Sequence, residues 1–206
     1  AGAHFGHTTS RWHPKMEPFL YGKRGGIHLI DLARTREKLA QAAAFAEQVG
    51  KSGKAVLFVG GKPIARAQVE AEAKRAGSPY VVNRWIGGSL TNWPAVNNMI
   101  KRMKQIEEDG RGGKLEKYTK KEQLMFSKDL EKLLQSVGGL RDFKGTAGAV
   151  FVVDAKYDKT AVAEANKLGI PVIGIVDSNI NIKRIQYPIP GNDDAVKSIN
   201  LITKVI

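Results

Sequence analysis

The sequence contains no cysteine, which removes disulfide scaffolds, cysteine-ligated zinc and thiol nucleophiles together. That absence fits a reducing compartment, the cytoplasm or an organelle matrix. No apolar run approaches the roughly 18 residues that would span a bilayer, so a soluble chain with no membrane partner is expected. Ala1 to Phe5 has neither the basic start and apolar core of a secretory signal nor an Arg/Ser-rich transit pattern. The motifs of nucleotide and nucleophilic chemistry are missing as well. Gly60-Gly61-Lys62 and Gly53-Lys54 lack the GxxxxGK-Ser/Thr spacing of a phosphate loop, and no GxGxxG, HExxH or GxSxG occurs. There is no internal repeat and no low-complexity tract.

Positive charge is abundant. Lys plus Arg number 33 against 20 Asp plus Glu, a formal net charge of +13, which favours a polyanionic partner by long-range attraction. With 206 residues, 42% of them hydrophobic, the chain can fill one sizeable core with at most a small appended lobe.

From Ile27 onward, short β-prone runs alternate with helical patterns, the signature of βαβ units and a parallel sheet. Ile27 to Leu32 is the first such run, followed by a helix around Arg34 to Val49 and a buried strand at Ala55 to Val59. A helix through Ile64 to Ala76 and a brief strand at Tyr80 to Val82 complete a doubly wound half. The alternation then breaks. Pro94 opens a helix striped by Val96, Met99, Ile100, Met103 and Ile106, interrupted at Asp109 and Gly110. A second helix, announced by the capping-box pattern Thr119-Lys120-Lys121-Glu122, is striped by Phe126, Leu130, Leu133, Leu134 and Val137. Two successive amphipathic helices predict an antiparallel hairpin closed by Gly138-Gly139. Strand Ala149 to Val153, helix Thr160 to Leu168 and strand Val172 to Val176 resume the α/β pattern, and a closing helix from Asp193 to about Val205 is expected with Asn192 or Asp193 as N-cap. The division is an α/β sheet domain of residues 1–93 and 138–206 with an extended N-terminal arm, interrupted by a helical insertion at 94–137.

Asp154 and Asp177 follow apolar strands, where a doubly wound sheet places ligands, so a magnesium-dependent phosphotransfer site is one reading. Turn initiation and helix capping explain such residues more simply. His4, His7 and His13 could surround a metal with a carboxylate, yet no full ligand set is visible, and neither a metal nor a cofactor is expected. RNA-binding features are more numerous. Arg11, Trp12, His13 and Lys15 join charge and an aromatic ring in a Gly/Pro-containing arm that could track phosphates while Trp12 stacks on a base or anchors the arm. Between Asn83 and Asn92, Arg84 could bridge phosphates and Trp85 stack or anchor, while Gly87-Gly88 allow close backbone approach or a tight turn. The hairpin adds Lys101, Arg102, Lys104, Lys120, Lys121, Lys128 and Lys132, interspersed with glutamates that also suit a solvated face. A pure scaffold whose helical stripe binds partner helices is a further alternative.

Taken in order, His4-Phe5-Gly6-His7-Thr8 with Trp12 and Pro14-Lys15-Met16, Leu57-Phe58-Val59-Gly60, Arg84-Trp85-Ile86-Gly87-Gly88-Ser89-Leu90-Thr91-Asn92, Lys120-Lys121-Glu122 and Ile189-Pro190-Gly191-Asn192-Asp193-Asp194 resemble the bacterial and organellar small-subunit ribosomal protein two family over nearly the whole chain. Departures are His13 where the family usually has Asn, Gly61 where Thr is common, Lys144-Gly145-Thr146 in place of Leu-Pro-Asp, and Ser178 and Asn181-Ile182 in the segment after the last strand named above. The resemblance implies a flavodoxin-like parallel sheet carrying an inserted α-helical coiled-coil hairpin. It also implies a structural component of the small ribosomal subunit that binds small-subunit ribosomal RNA and other ribosomal proteins. Among those it implies the large RNA-binding protein numbered one, where the lineage has it. No catalytic activity is implied.

Overall fold

Gly25 and Gly26, with φ of +58° and +76°, turn the chain between β2 (Leu20–Arg24) and β3 (Ile27–Ile30), so that Arg24 pairs with Ile27 in a two-residue hairpin. Two successive left-handed residues are what such a turn requires, and glycine adopts them without strain. The computed structural model, which describes residues 1–206, adds β1 (Phe5–Thr8) to the other side of β3, giving a small antiparallel sheet of order β1-β3-β2. The run beginning at Ile27 therefore lies outside the parallel sheet, contrary to the expectation from its apolar pattern. The N-terminal arm is likewise folded rather than extended. It winds through 3-10 turns at Thr9–Arg11 and Pro14–Phe19. Met16 is fully buried in the main core, and the His13 amide donates to the Ser178 carbonyl at 2.8 Å.

Helix α1 (Leu32–Lys51) is capped by Asp31, whose carboxylate accepts from the amides of Ala33 and Arg34. Strand β4 (Ala55–Val59), helix α2 (Arg66–Arg75), strand β5 (Tyr80–Val81), helices α3 (Trp93–Arg111) and α4 (Lys120–Val137), strand β6 (Ala147–Val152), helix α5 (Lys159–Lys167), strands β7 (Val172–Val176) and β8 (Tyr187–Pro190) and helix α6 (Val196–Thr203) follow. The second sheet has five parallel strands in the order β5-β4-β6-β7-β8. Numbered within that sheet, this is the 2-1-3-4-5 order of a doubly wound fold. The near-continuous apolar strands reflect cover on both faces. Leu57, Val59, Val150, Val152 and Val176 face α3, α4 and α5, whereas Val56, Phe58, Phe151, Ile173 and Ile175 face α1, α2 and α6.

Strand β8 escapes the sequence pattern because Pro188 and Pro190 read as breakers. As the last strand of the sheet it needs only one bonded edge, where prolines are tolerated. The final helix starts at Val196 rather than Asp193, with no side-chain cap. The Asn192 carboxamide instead accepts from the Asp194 amide, and Asp193 is drawn inward to Lys62. Helix α3 continues through Gly110 to Arg111, since its carbonyls keep their partners there, with the Gly112 amide donating to Glu108. The capping box at Thr119 and Glu122 is formed. Helices α3 and α4 pack on each other, burying Val96, Ile100, Met103, Ile106 and Val137; Leu134, expected on that stripe, is exposed.

Gly138-Gly139 does more than end α4. A Cβ on Gly139 would collide with the Tyr80 carbonyl and ring, so the backbone after α4 and the start of β5 meet at a distance only glycine allows. Gly139→Ala is expected to destabilise the protein by about 1–3 kcal/mol through backbone displacement. Gly138→Ala, which meets only Leu134 at ordinary van der Waals distance, serves as the matched control. Urea unfolding with equal midpoints for the two variants would rule out the close approach.

Candidate nucleic-acid interface

The segment from Asn83 to Asn92 crosses from the sheet to α3, and one carboxylate holds it. Glu164, on the buried side of α5, accepts from the Trp85 indole at 3.0 Å and the amides of Gly88 at 2.7 Å, Leu90 at 3.0 Å and Thr91 at 3.1 Å. The Thr91 hydroxyl adds a fifth bond at 3.1 Å. Burial pushes Glu164 upward, but these donors outweigh it and hold the carboxyl below its ordinary range. Asn83 ties the other end of the loop to α4 by donating to the Gln135 carbonyl at 2.8 Å. The Trp85 ring is 8% exposed and packed in the core. It anchors the loop, and the stacking alternative for this ring is set aside because its face and its N–H are both occupied by protein. Arg84, between Asn83 and Trp85, is exposed and has no acidic partner. At Gly88, φ of +93° places the turn in the left-handed region, which accounts for one of the two glycines.

The cations predicted on the helices divide by environment. Lys101, Lys120 and Lys121 are exposed and make no ion pair, whereas Lys104 lies 3.6 Å from Asp142 and the Arg102 guanidinium sits 5.7 Å from the centre of the Phe126 ring. In the N-terminal segment Arg11 is exposed and unpaired. Trp12 is half-buried with its ring 5.3 Å from that of His28, the arrangement of an anchor. His13 uses Nδ1 to accept from the Lys15 amide, capping the turn that carries Met16.

The strand-end carboxylates are organised around a lysine rather than a reacting group. Lys62 Nζ lies 3.3 Å from Asp154, 2.8 Å from Asp193 and 2.6 Å from Asp194. Asp154 also accepts from the amides of Lys156 and Tyr157, the turn-initiating role, and Asp158 accepts from the Gly61 amide at 3.0 Å. Burial, and then repulsion from Asp154, push Asp193 up to about 7; burial is also the main cause that pushes Asp158 up to about 6. The three histidines proposed from sequence do not converge. His4 lies tilted against the Phe5 ring and His13 caps its turn, while His7 stands between Asp177, at 3.1 Å, and Asp194, at 3.7 Å. His7, Asp177 and Asp194 bring their ligand atoms within 4.8 Å of one another, but Asp194 is already engaged by the Lys62 ammonium. That leaves fewer than the four ligands of a tetrahedral site.

The order of blocks along the chain and the sheet built from them agree with one family: the family model described as Ribosomal protein S2 matches residues 1–206. The chain belongs to the ribosomal protein S2 family. It is similar to the small ribosomal subunit protein uS2 of Dictyoglomus thermophilum, 48% identical over 206 residues that make up 100% of this chain and 84% of the relative. It is also similar to the small ribosomal subunit protein uS2 of Salinibacter ruber, 46% identical over 206 residues, and there it spans only 64% of the relative's length. As an S2-family protein the chain is a structural constituent of the small ribosomal subunit and not an enzyme. The phosphotransfer reading of Asp154 and Asp177 falls with that finding, and the geometry explains both residues as structural.

Sequence reasoning missed Glu164 altogether and weighed Lys62 only as part of a phosphate loop, not as the partner of Asp154, Asp193 and Asp194. Each carried a signal. Glu164 is a lone acid on the face of α5 that presents Ala161, Val162 and Ala165, and Lys62 follows a buried strand at the level of several strand-end acids.

Proposed function

We propose that this S2-family protein binds small-subunit ribosomal RNA in the cytoplasmic ribosome through phosphate contacts made by Arg11, Arg84, Lys101, Lys120 and Lys121, with Lys15, Arg102 and Lys104 contributing at the margins. Trp12, His13 and Trp85 support those contacts from within the protein. In this reading residues 94–137 form an antiparallel coiled-coil hairpin inserted into a flavodoxin-like domain of residues 1–93 and 138–206, and the loop Asn83 to Asn92 aims it. The observation that carries the proposal is that the named cations Arg11, Arg84, Lys101, Lys120 and Lys121 are exposed and have no acidic partner. An unpaired cation keeps its full attraction for a phosphate, whereas a paired one must first give up its carboxylate.

The sheet domain offers a second surface, toward neighbouring ribosomal proteins and, where the lineage has it, the large RNA-binding protein numbered one. Exposed Leu201 and Val205 near the C-terminal helix support an apolar contact there. The test of RNA binding is co-sedimentation with small-subunit ribosomal RNA across a salt gradient. Charge reversal by Lys101→Glu, Lys120→Glu and Lys121→Glu together is expected to lower affinity at least tenfold, by removing about three phosphate contacts and adding repulsion. Unchanged affinity and salt dependence would count against the hairpin as an RNA site.

A further inference from the structure

Three separate segments converge beside the start of α5. The loop after β7 is held by Asn181, whose side chain accepts from the Lys183 amide at 3.1 Å, and by Asn166, which donates to the Arg184 carbonyl at 2.9 Å. The N-terminal segment joins it through the bond from the His13 amide to the Ser178 carbonyl. Between this loop and α5 lies a cavity of about 280 Å³ lined by His13, Lys156, Lys159, Asn179, Asn181 and Arg184, over a floor of Val162, Ile180 and Ile185.

The charges around this cavity are of one sign. Lys156, Lys159, Lys183 and Arg184 are exposed, and neither they nor Lys15 makes an ion pair. The acids nearest in sequence are turned elsewhere: Asp154 to Lys62, Asp158 to Gly61 and Asp177 to His7 and Ser178. Burial, and then the Lys183 ammonium, push Lys15 below its ordinary value. Lys156, Lys159 and Arg184 line one cavity without a counter-ion, so they repel one another, and an anion seated among them relieves that repulsion. Arg184 can supply a planar fork to two phosphate oxygens, and the apolar floor suits the sugar face of a nucleotide better than an acidic peptide side chain.

We infer that this cavity is a second RNA-backbone site, distinct from the hairpin, in which Lys156, Lys159 and Arg184 clamp phosphodiester groups of small-subunit ribosomal RNA, while Lys15 and Lys183, close in the chain to the lining residues His13 and Arg184, add positive charge beside it. The inference rests on the RNA-binding reading above and adds the face on which a second stretch of RNA crosses the sheet domain. It places RNA on the carboxyl-end side of the strands, beside α5, in addition to the contacts proposed above.

The test uses the full chain and small-subunit ribosomal RNA, with affinity followed against salt. Combined Lys156→Gln, Lys159→Gln, Lys183→Gln and Arg184→Gln is expected to lower affinity at least tenfold and to flatten the logarithmic salt slope by about 3–4, at roughly 0.7–0.9 for each of the phosphates that these cations no longer neutralise. A combined Lys101→Gln, Lys120→Gln and Lys121→Gln variant should show its own decrement independently. If the cavity variant keeps the wild-type slope while the hairpin variant loses its share, the inference fails and RNA binding by the hairpin stands. If the wild-type chain itself binds without salt dependence, both fail. Because the chain has no cysteine, Lys183→Cys provides a single tether for a hydroxyl-radical probe. Backbone cleavage of the RNA from that position supports the site, and no cleavage in an assembled complex overturns it.

Discussion

Glu164→Ala is expected to lower the unfolding free energy by about 3–5 kcal/mol, because hydrogen bonds to a charged acceptor are worth about 1.5–3 kcal/mol each and at least two of the donors it would orphan are buried. The carboxylate is 8% exposed and accepts five hydrogen bonds from Trp85, Gly88, Leu90 and Thr91. Alanine would leave the buried Trp85 and Leu90 donors without partners, and an unmade buried hydrogen bond costs about 1–3 kcal/mol. In a chain of this size each kcal/mol is worth roughly 2–4 °C, so the melting temperature should fall by about 6 °C or more. Glu164→Gln tests the cause. It preserves shape, but its amide group turns a donor toward donors and removes the charge, so it should recover only part of the loss. If glutamine matches wild type in urea, the charge-assisted bonds to the loop are not what stabilises it. Because the same loop carries Arg84 and leads into α3, the alanine variant should also weaken assembly into the small subunit although it removes no proposed RNA-contacting cation.

The second large effect is at Lys62. Its ammonium is the cation among Asp154, Asp193 and Asp194, and its side chain is 16% exposed while that of Asp193 is 2% exposed. Burial tends to lower the Lys62 value, yet the hydrogen bonds to Asp193 and Asp194 raise it above the ordinary value for lysine, so Lys62 stays charged throughout the neutral range. Lys62→Met keeps the aliphatic stem and removes the charge, leaving the acids facing each other; a loss of about 3–5 kcal/mol at neutral pH is expected.

The pH dependence has a definite sign. Asp193 and Asp158 sit at about 7 and about 6 in the folded protein against an ordinary aspartate value of 3.8. Between those values the folded state holds more protons than the unfolded one, so their contribution is fully present below about pH 4 and is lost as pH rises through about 6 and 7. Without the ammonium Asp193, which Lys62 otherwise holds down, rises further, so Lys62→Met should lose stability more steeply than wild type over the same window and approach it in acid. Urea midpoints measured from about pH 4.5 to about pH 8 check this. Parallel curves for the two proteins would mean that Lys62 does not hold these carboxylates. Glu164 acts in the opposite sense: its folded value is depressed, so its contribution is present above the ordinary glutamate value and lost on further acidification.

The doubly wound sheet was legible because its strands and helices carry different hydrophobic periods. Ala55–Val59 and Val172–Val176 are continuous apolar runs, and the bounds read from sequence coincide with β4 and β7. The helical break was legible from two stripes and from Thr119 and Glu122, since capping is local chemistry. What escaped notice depended on partners distant in sequence. The Gly25-Gly26 turn diverts β3 into a separate antiparallel sheet, and β8 forms only because an outer position tolerates its prolines.

For the candidate interface, the order of residues was enough to establish a surplus of cations without catalytic motifs and, through the ordered motif blocks, the family. Which of those cations are free emerged only on folding. Lys101 and Lys104 look alike in sequence, but only Lys104 meets Asp142; Arg84 and Trp85 are neighbours, yet one is exposed to solvent and the other is locked onto Glu164. His13 comes to line the same cavity as Lys156, Lys159 and Arg184 only when the N-terminal segment bonds to Ser178. Charge and periodicity are properties of residues and near neighbours, so sequence carries them. Pairing and burial are properties of contacts closed across the fold, where an ion pair of a few ångströms decides whether a charge is neutralised inside the protein or left for RNA. That is why the stretch from Asn83 to Asn92, the most distinctive block of the chain, proves to be chiefly a strut with one outward arginine.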